Sequence, residues 1–494
     1  MARPGPEGGI YQPLTEQQLQ RIHQASLDVL EHTGIHVENR EALALYQRAG
    51  ARLDGQRVHI TPALVREALD RAPSTVLLAG RDPAQDVVLE GKRVYAGTGG
   101  SPTMILDPGA DTVRPGTLRD LADLARLADA LPHCDFITIP LHPTDVPDQD
   151  APVNRFYTCL ANSTKHVMSN VQGKAGSLDA ARQVIEMAGL IAGGLDALVE
   201  RSIVSCVTSW MVSPLHLDTG VTDILIEWCK HKLPLVLSSA PMAGSTSPVT
   251  LAGTLVQLNA EQLSGIVLTQ QVQPGTPVLA GYIPGLADMR TGGYLGGAIE
   301  FGMMQAAAAQ LAHFYRIPIY GSGGMSDSKL PDAQAGYEKM ATLLLAAMGG
   351  CNFIHHAISM ITNMSVASLE QAVIDDEIVG MVMRALRGVE VSDDSLGLEA
   401  IDRVGPAGHY LVDDHTLQFM RSEFYYPHLS DRQNRPAWET AGKQDTRARA
   451  IARLKKLLQE HEPSPLPPEI DRAIRHKFDI LITREELAER SMRV

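Results

Sequence analysis

From Val94 onward the chain keeps one rhythm: a short run rich in Val and Ile, a turn bearing glycine or serine, then a longer stretch with apolar residues at helical spacing. Runs at 94–97, 136–140, 166–171, 203–207, 235–239, 278–282, 317–321 and 353–356 predict strands. Their apolar residues are consecutive rather than alternating, as in strands buried on both faces. Helices are predicted over 117–130, 152–161, 177–193, 219–231, 250–271, 295–315, 332–348 and 368–386. Eight strands alternating with eight helices predict an α/β fold, a (β/α)8 TIM barrel, over 91–388. A doubly wound open sheet is the alternative. It is weakened because no G-x-G-x-x-G opens a helix after the first strand.

The flanks have other patterns. Residues 1–13 are expected to form a flexible tail, and 14–90 an N-terminal helical domain with a small β element. Thr15 with Gln18 reads as a capping box, Pro62 as the first turn of a helix, and 76–89 as a β pair. After Gly388 the strand–helix rhythm stops, and 389–494 read as a C-terminal helical cap.

Composition narrows the class. A 44% hydrophobic and 20% charged chain of 494 residues builds a sizeable core. The net charge of −14 argues against nucleic acid and anionic membrane as partners and leaves room for a cationic small molecule. The five cysteines are scattered, without a C-x-x-C pair, as suits a reducing cytoplasm. No apolar stretch is long enough to span a membrane; 293–311 comes closest, interrupted by Glu300 and Gln305. The apolar helix faces and large cap make a homo-oligomer the expectation.

In a barrel the active face is built from the residues at the C-terminal end of each strand and in the loop after it. Here those are Gly97-Thr98-Gly99-Gly100-Ser101 after the first strand and His142 after the second. Asn170 and Gln172 come after the third, Ser209 and Trp210 after the fourth, and Ser238 and Ser239 at the end of the fifth. Tyr282, Arg290 and Tyr294 belong to the sixth, Tyr320 to Lys329 to the seventh, and His355-His356 to the eighth. The set is polar but poor in carboxylates, so a glycosidase pair is not evident. There is no G-x-S-x-G elbow and no H-E-x-x-H. Adjacent strand residues point to opposite sides, so one of His355 and His356 is expected at the site and the other in the packing. Cys351, four residues before His355, makes a Cys/His zinc site imaginable, although strand geometry spreads these groups. Aromatics at several strand ends are candidates for a cage around a quaternary ammonium.

The stretch Gly321-Ser322-Gly323-Gly324-Met325-Ser326-Asp327-Ser328-Lys329, with Asp332 to Glu338 shortly after it, resembles the trimethylamine:corrinoid methyltransferase family. Within it, the branch without pyrrolysine that includes glycine betaine methyltransferase is the nearest likeness. Tyr95 to Pro102, Leu106-Asp107 and Gly350-x-Asn352-x-Ile354 also fit, and the resemblance runs over about 15–480. It implies a barrel that moves a methyl group from an amine to the Co(I) of a corrinoid carried by a separate protein. The pyrrolysine position falls at Gly324 or Met325, so a quaternary amine such as glycine betaine, which brings its own positive charge, is the implied substrate. The chain carries no D-x-H-x-x-G corrinoid signature; Asp413-x-His415 is its nearest approach.

On this reading Met325, Asp327 and His355 take the catalytic positions. Tyr95, Trp210, Tyr282 and Tyr320 are cage candidates, Gly99, His142 and His356 further substrate contacts, and Arg290 the partner of a substrate carboxylate. No metal ligands are assigned. Two alternatives stay open: a barrel that binds methylated amines without turning them over, and a zinc-dependent thiol or alcohol corrinoid methyltransferase.

Overall fold

The computed structural model describes residues 4–171 and 177–489; Gln172 lies outside them. Eight parallel strands form the central sheet: β1 (Tyr95–Thr98), β2 (Ile137–Thr138), β3 (Val167–Ser169), β4 (Val204–Thr208), β5 (Leu235–Ser239), β6 (Val278–Tyr282), β7 (Ile319–Ser322) and β8 (Phe353–Ile358). Their order runs from β1 through β8 back to β2, and a parallel bridge from Gly97 to Phe136 joins the two ends. The sheet is therefore a closed (β/α)8 barrel, as the strand–helix rhythm predicts, and the open-sheet alternative is discarded.

Helices α1 (Leu118–Ala130), α2 (Ala151–Asn162), α3 (Ser177–Ala192), α4 (Thr219–Lys230), α5 (Leu251–Val272), α6 (Ile299–Tyr315), α7 (Ala333–Gly349) and α8 (Leu369–Leu386) surround it. Thr117, Asp218, Thr250, Asp332 and Ser368 each cap the next helix with a side-chain oxygen. α6 starts at Ile299 rather than 295 because Gly296 and Gly297 donate their amides to Asp327 and stay in the loop.

One end of the barrel is shut. The antiparallel pair Val76–Leu78 and Val87–Leu89 shares an apolar cluster with the interior residues Tyr95, Phe136, Met168, Val236, Leu279, Tyr320 and Phe353. The opening residues, expected as a flexible tail, run along this same end: Val94 N–H donates to Pro6 O, Gly8 N–H to Lys92 O and Tyr11 N–H to Met348 O.

The other end is built up by ribbons the periodicity did not reveal. Met104–Leu106, Val113–Pro115, Met360–Ile361 and Val366–Ser368 join the loops after β1 and β8 into one small sheet. Met242–Ala243 and Gly285–Leu286 pair the loops after β5 and β6. The N-terminal helices lie on α5, where Tyr46 Oη donates to Ser264 O and Asn259 Nδ2 to Ser26 Oγ. The C-terminal helix Thr446–Glu460 buries Ala450, Leu454 and Leu458, and Arg447 pairs with the buried Glu370 of α8. Among the described residues no helix is long and apolar enough to cross a membrane.

Candidate active site at the barrel mouth

The glycine-rich stretch after β7 is held from below by α7. Gly324 sits at φ +73°, a left-handed conformation, and a Cβ there would press on the backbone of Ala357. Its N–H donates to Thr342 Oγ1 (3.1 Å), and its carbonyl accepts from Lys339 Nζ (2.6 Å). Glu338 accepts from Ser326 Oγ and Asp327 N–H, both at 2.8 Å. Lys339 is fully buried and its ammonium lies 3.1 Å from the equally buried Asp375, which in turn accepts from Ser359 N–H and Gln371 Nε2. The loop thus has one conformation set by α7 and α8.

Within this frame Ser322 Oγ donates to Met325 Sδ (3.1 Å), and the Met325 methyl lies against Gly296 of the preceding loop. Asp327 accepts from Gly296 and Gly297, which ties the loops after β6 and β7 together. Burial, with Glu338 nearby, pushes its carboxyl pKa up.

An aromatic column climbs the barrel interior. Phe136 stacks on Phe353 (3.4 Å), Phe353 on Tyr320 (5.3 Å), Tyr320 on His355 (4.0 Å), and His355 meets His356 (3.7 Å). Both histidines therefore lie together, contrary to the expectation that only one would face the site. The cause is local: His356 has φ +67°, and the pairing of β8 with β1 slips between Ile354 and Ile358, so the strand's alternation is broken. His355 Nδ1–H donates to Gly321 O (2.6 Å), and His356 Nδ1 pairs with Ser322 Oγ (2.8 Å). A Cβ on Gly99 would collide with the backbone and ring of His356, so only glycine admits this packing. Burial holds His355 down to about 3 and His356 well below its usual value, so both are neutral at pH 7.

The four proposed cage aromatics are not brought together. Tyr320 is a rung of the column, and Tyr95 sits at the closed end, its ring against Gly5. Tyr282 points outward and donates to Asn259 Oδ1 of α5, and Trp210 is buried against Gly265 of the same helix. Arg290 is 87% exposed and folded back on Asp288 at 3.0 Å, so it does not stand in the mouth. Cys351 also departs from the histidines: its thiol lies on the outer side of β7, beside Gly321 and Gln305. His142 is partly buried at the rim, its N–H bonded to Pro102 O.

The residue that sequence reasoning missed is Arg155 of α2. It is 1% exposed, and its guanidinium reaches across the strand ends to Ser101 Oγ (2.8 Å), Ser169 Oγ (2.6 Å) and Asn170 Oδ1 (3.3 Å). Its Nε–H has no partner, and no carboxylate pairs with it among the described residues. Burial lowers its pKa to about 10, and burial together with the Arg155 charge lowers the pKa of His142. A guanidinium buried without a counter-ion is costly unless something anionic completes it. Its signal in the chain is that it is the one charged residue between Asp150 and Lys165. Glu261 of α5 was missed likewise. It is buried behind β5, where Ser239 and Ser213 hydroxyls, Leu215 N–H and Gln257 Nε2 all donate to it. In front of it a cavity of about 230 Å³ opens among Ser209, Met211, Ser213, Ser238, Ala240 and Met242.

The neutral histidines give the fold a pH dependence. His166 and His313 are likewise held down to about 4 by burial. In the unfolded chain each protonates near 6.5, so their contribution is complete above that pH. It is lost as the pH falls from 6.5 toward 4, by about 1.4 kcal/mol per pH unit for each histidine. The urea midpoint is expected to drop steeply between about pH 6.5 and about pH 5. A flat midpoint would mean that these rings reach solvent in the fold.

Such a closed barrel, with a structured mouth and a shut floor, is the frame of an α/β-barrel enzyme. The model of the family described as trimethylamine methyltransferase (MTTB) matches residues 4–486. The glycine betaine methyltransferase of Desulfitobacterium hafniense strain Y51 is 37% identical over 465 residues, covering 93% of this chain and 95% of that protein. A trimethylamine methyltransferase of D. hafniense strain DCB-2 is also 37% identical, covering 93% of this chain and 92% of its own. One from Methanosarcina barkeri strain Fusaro is 34% identical over 92% of each. The chain belongs to the trimethylamine methyltransferase family and is a methyltransferase.

Proposed function

We propose that this enzyme takes a methyl group from a quaternary amine bearing a carboxylate, of the glycine betaine type, and passes it to the Co(I) of a corrinoid carried by a separate protein. The observation that carries the reading is Arg155, a buried cation at the strand ends that lacks an acid among the described residues. A substrate carboxylate would complete it, and the neutral His355 and His356 add no further positive charge to repel the ammonium.

A corrinoid in its Co(I) state supplies the nucleophile. The residues here fit delivery by a partner: Asp413 is engaged by Arg403, and His415 Nε2 bonds to Asp394 O, so the nearest corrinoid-like motif is already occupied. The chain's own residues hold the amine, exclude water and aim one methyl outward. The C–N bond breaks with its electron pair going to nitrogen, and a neutral tertiary amine is released, so no general acid is required. Asp327 and Met325 keep the loops in place, and His355 and His356 wall the site without giving up protons.

The reading includes the cytoplasm, supported by five free buried cysteines, and an assembly of several copies. The exposed Val389, Val391, Leu398, Leu411 and Val412 are the surface a second copy would cover. A light-scattering mass of one chain would remove that last part, and recovery in a membrane or secreted fraction the first.

The decisive experiment mixes the purified chain with a reduced corrinoid protein and a panel of glycine betaine, choline and trimethylamine. Loss of Co(I) absorbance with glycine betaine and not with trimethylamine is expected. No response to any carboxylated quaternary amine, or a response to trimethylamine alone, overturns the reading.

A further inference from the structure

We propose that the chain carries a divalent metal site, of the zinc class, on the outside of the molecule at His36, Glu38 and His216. The site stands apart from the barrel mouth and does not depend on the reaction assigned to it.

Backbone register creates it. Strand Ile35–Val37 of the N-terminal part runs parallel to His216–Leu217, with His36 opposite His216 and Val37 opposite Leu217. His36 N–H donates to Leu215 O and Glu38 N–H to Leu217 O, so the pairing continues on both sides. Strand alternation sends Ile35, Val37 and Leu217 into the core, where each is at most 1% exposed. The same alternation sends His36 and Glu38 to the outer face, and the parallel register brings His216 beside them. The two imidazoles lie 5.1 Å apart between centroids, and Glu38 Oε1 is 3.0 Å from His216 Nε2.

One donor atom from each residue lies within 4.8 Å of the others. Tetrahedral zinc with bonds of about 2.1 Å sets its ligands about 3.4 Å apart. Two imidazoles and one carboxylate select a borderline transition ion over magnesium or calcium, and leave a fourth position for water. The backbone positions are fixed by the strand pairing, while the His216 and Glu38 side chains are 33% and 43% exposed and can turn by the small amount needed.

A cation there would do more than decorate the surface. His216 ends the segment that leaves β4, and Ser209, Met211 and Ser213 of that segment line the mouth cavity. Metal binding would pin this segment to the N-terminal strand and steady one wall of the mouth.

The test titrates ZnCl2, and separately CoCl2, into metal-free full-length protein, monitoring heat, visible absorbance and melting temperature. One metal ion per chain, a visible Co(II) band and a raised melting temperature are expected. His36→Gln and His216→Gln, both surface changes, should each abolish the band and the melting shift while leaving the metal-free melting temperature unchanged. Absence of binding at micromolar metal, or stoichiometric binding and a melting shift that survive in both variants, overturns the proposal.

Discussion

Replacing Arg155 with methionine is expected to cut kcat/KM for a carboxylated quaternary amine on the order of 100- to 1,000-fold, equivalent to roughly 3–4 kcal/mol, the scale for truncating a buried charged contact. Choline, which offers the same trimethylammonium without the carboxylate, should lose little. The thermal stability of the variant should be unchanged or higher, because the guanidinium stands buried without an acid among the described residues and an apolar side chain of similar reach removes that penalty. Three readouts therefore move differently: betaine turnover falls, choline turnover stays, and the melting temperature holds. If betaine and choline fall together and the protein melts earlier, Arg155 is scaffold for Ser101 and Ser169 and the carboxylate assignment is wrong.

The second large effect is on the fold. Lys339→Met leaves the Asp375 carboxylate buried with Ser359 N–H and Gln371 but no cation. Breaking a buried pair from one side costs about 3–5 kcal/mol of unfolding free energy. It also frees the Gly324 carbonyl, so the glycine-rich stretch should loosen and methyl transfer should fall even at temperatures where the variant is folded. Removing both charges, as Lys339→Met with Asp375→Leu, should restore most of the stability but not the loop. Denaturant curves for the three proteins decide this, and a single variant as stable as the parent would refute the role given to the pair.

How far these features could be read in the chain depends on what each asks of the sequence. The barrel was legible because a strand buried on both faces must be apolar at consecutive positions, and eight such runs are separated by helical spacing. That same double burial hid the site. With Tyr282 and Tyr320 both apolar-flanked, nothing in the pattern says that one faces α5 and the other the interior. The histidine pair departs from strand alternation because a positive φ at His356 and a register slip interrupt it, and neither is visible in the sequence. In the sequence Arg290 reads as a free cation on a mouth loop, but Asp288, two residues away, holds it. The buried charges Arg155, Glu261, Lys339 and Asp375 lie on helices, where a strand-end search does not look. Each is buried on a helix that packs on the barrel, and an ionisable group in such a place is the better guide to a site.

The sealed floor of the barrel has a consequence for the order of events. With the hairpin at 76–89 and the opening residues closing that end, a small molecule and the docking protein proposed above would have to use one doorway. On the proposed function, the amine would have to arrive before the protein that collects its methyl, and the spent amine would leave only once that protein has lifted away. Turnover would obey a compulsory sequence of arrivals and departures, and an excess of the acceptor protein would slow the enzyme by blocking its own supply.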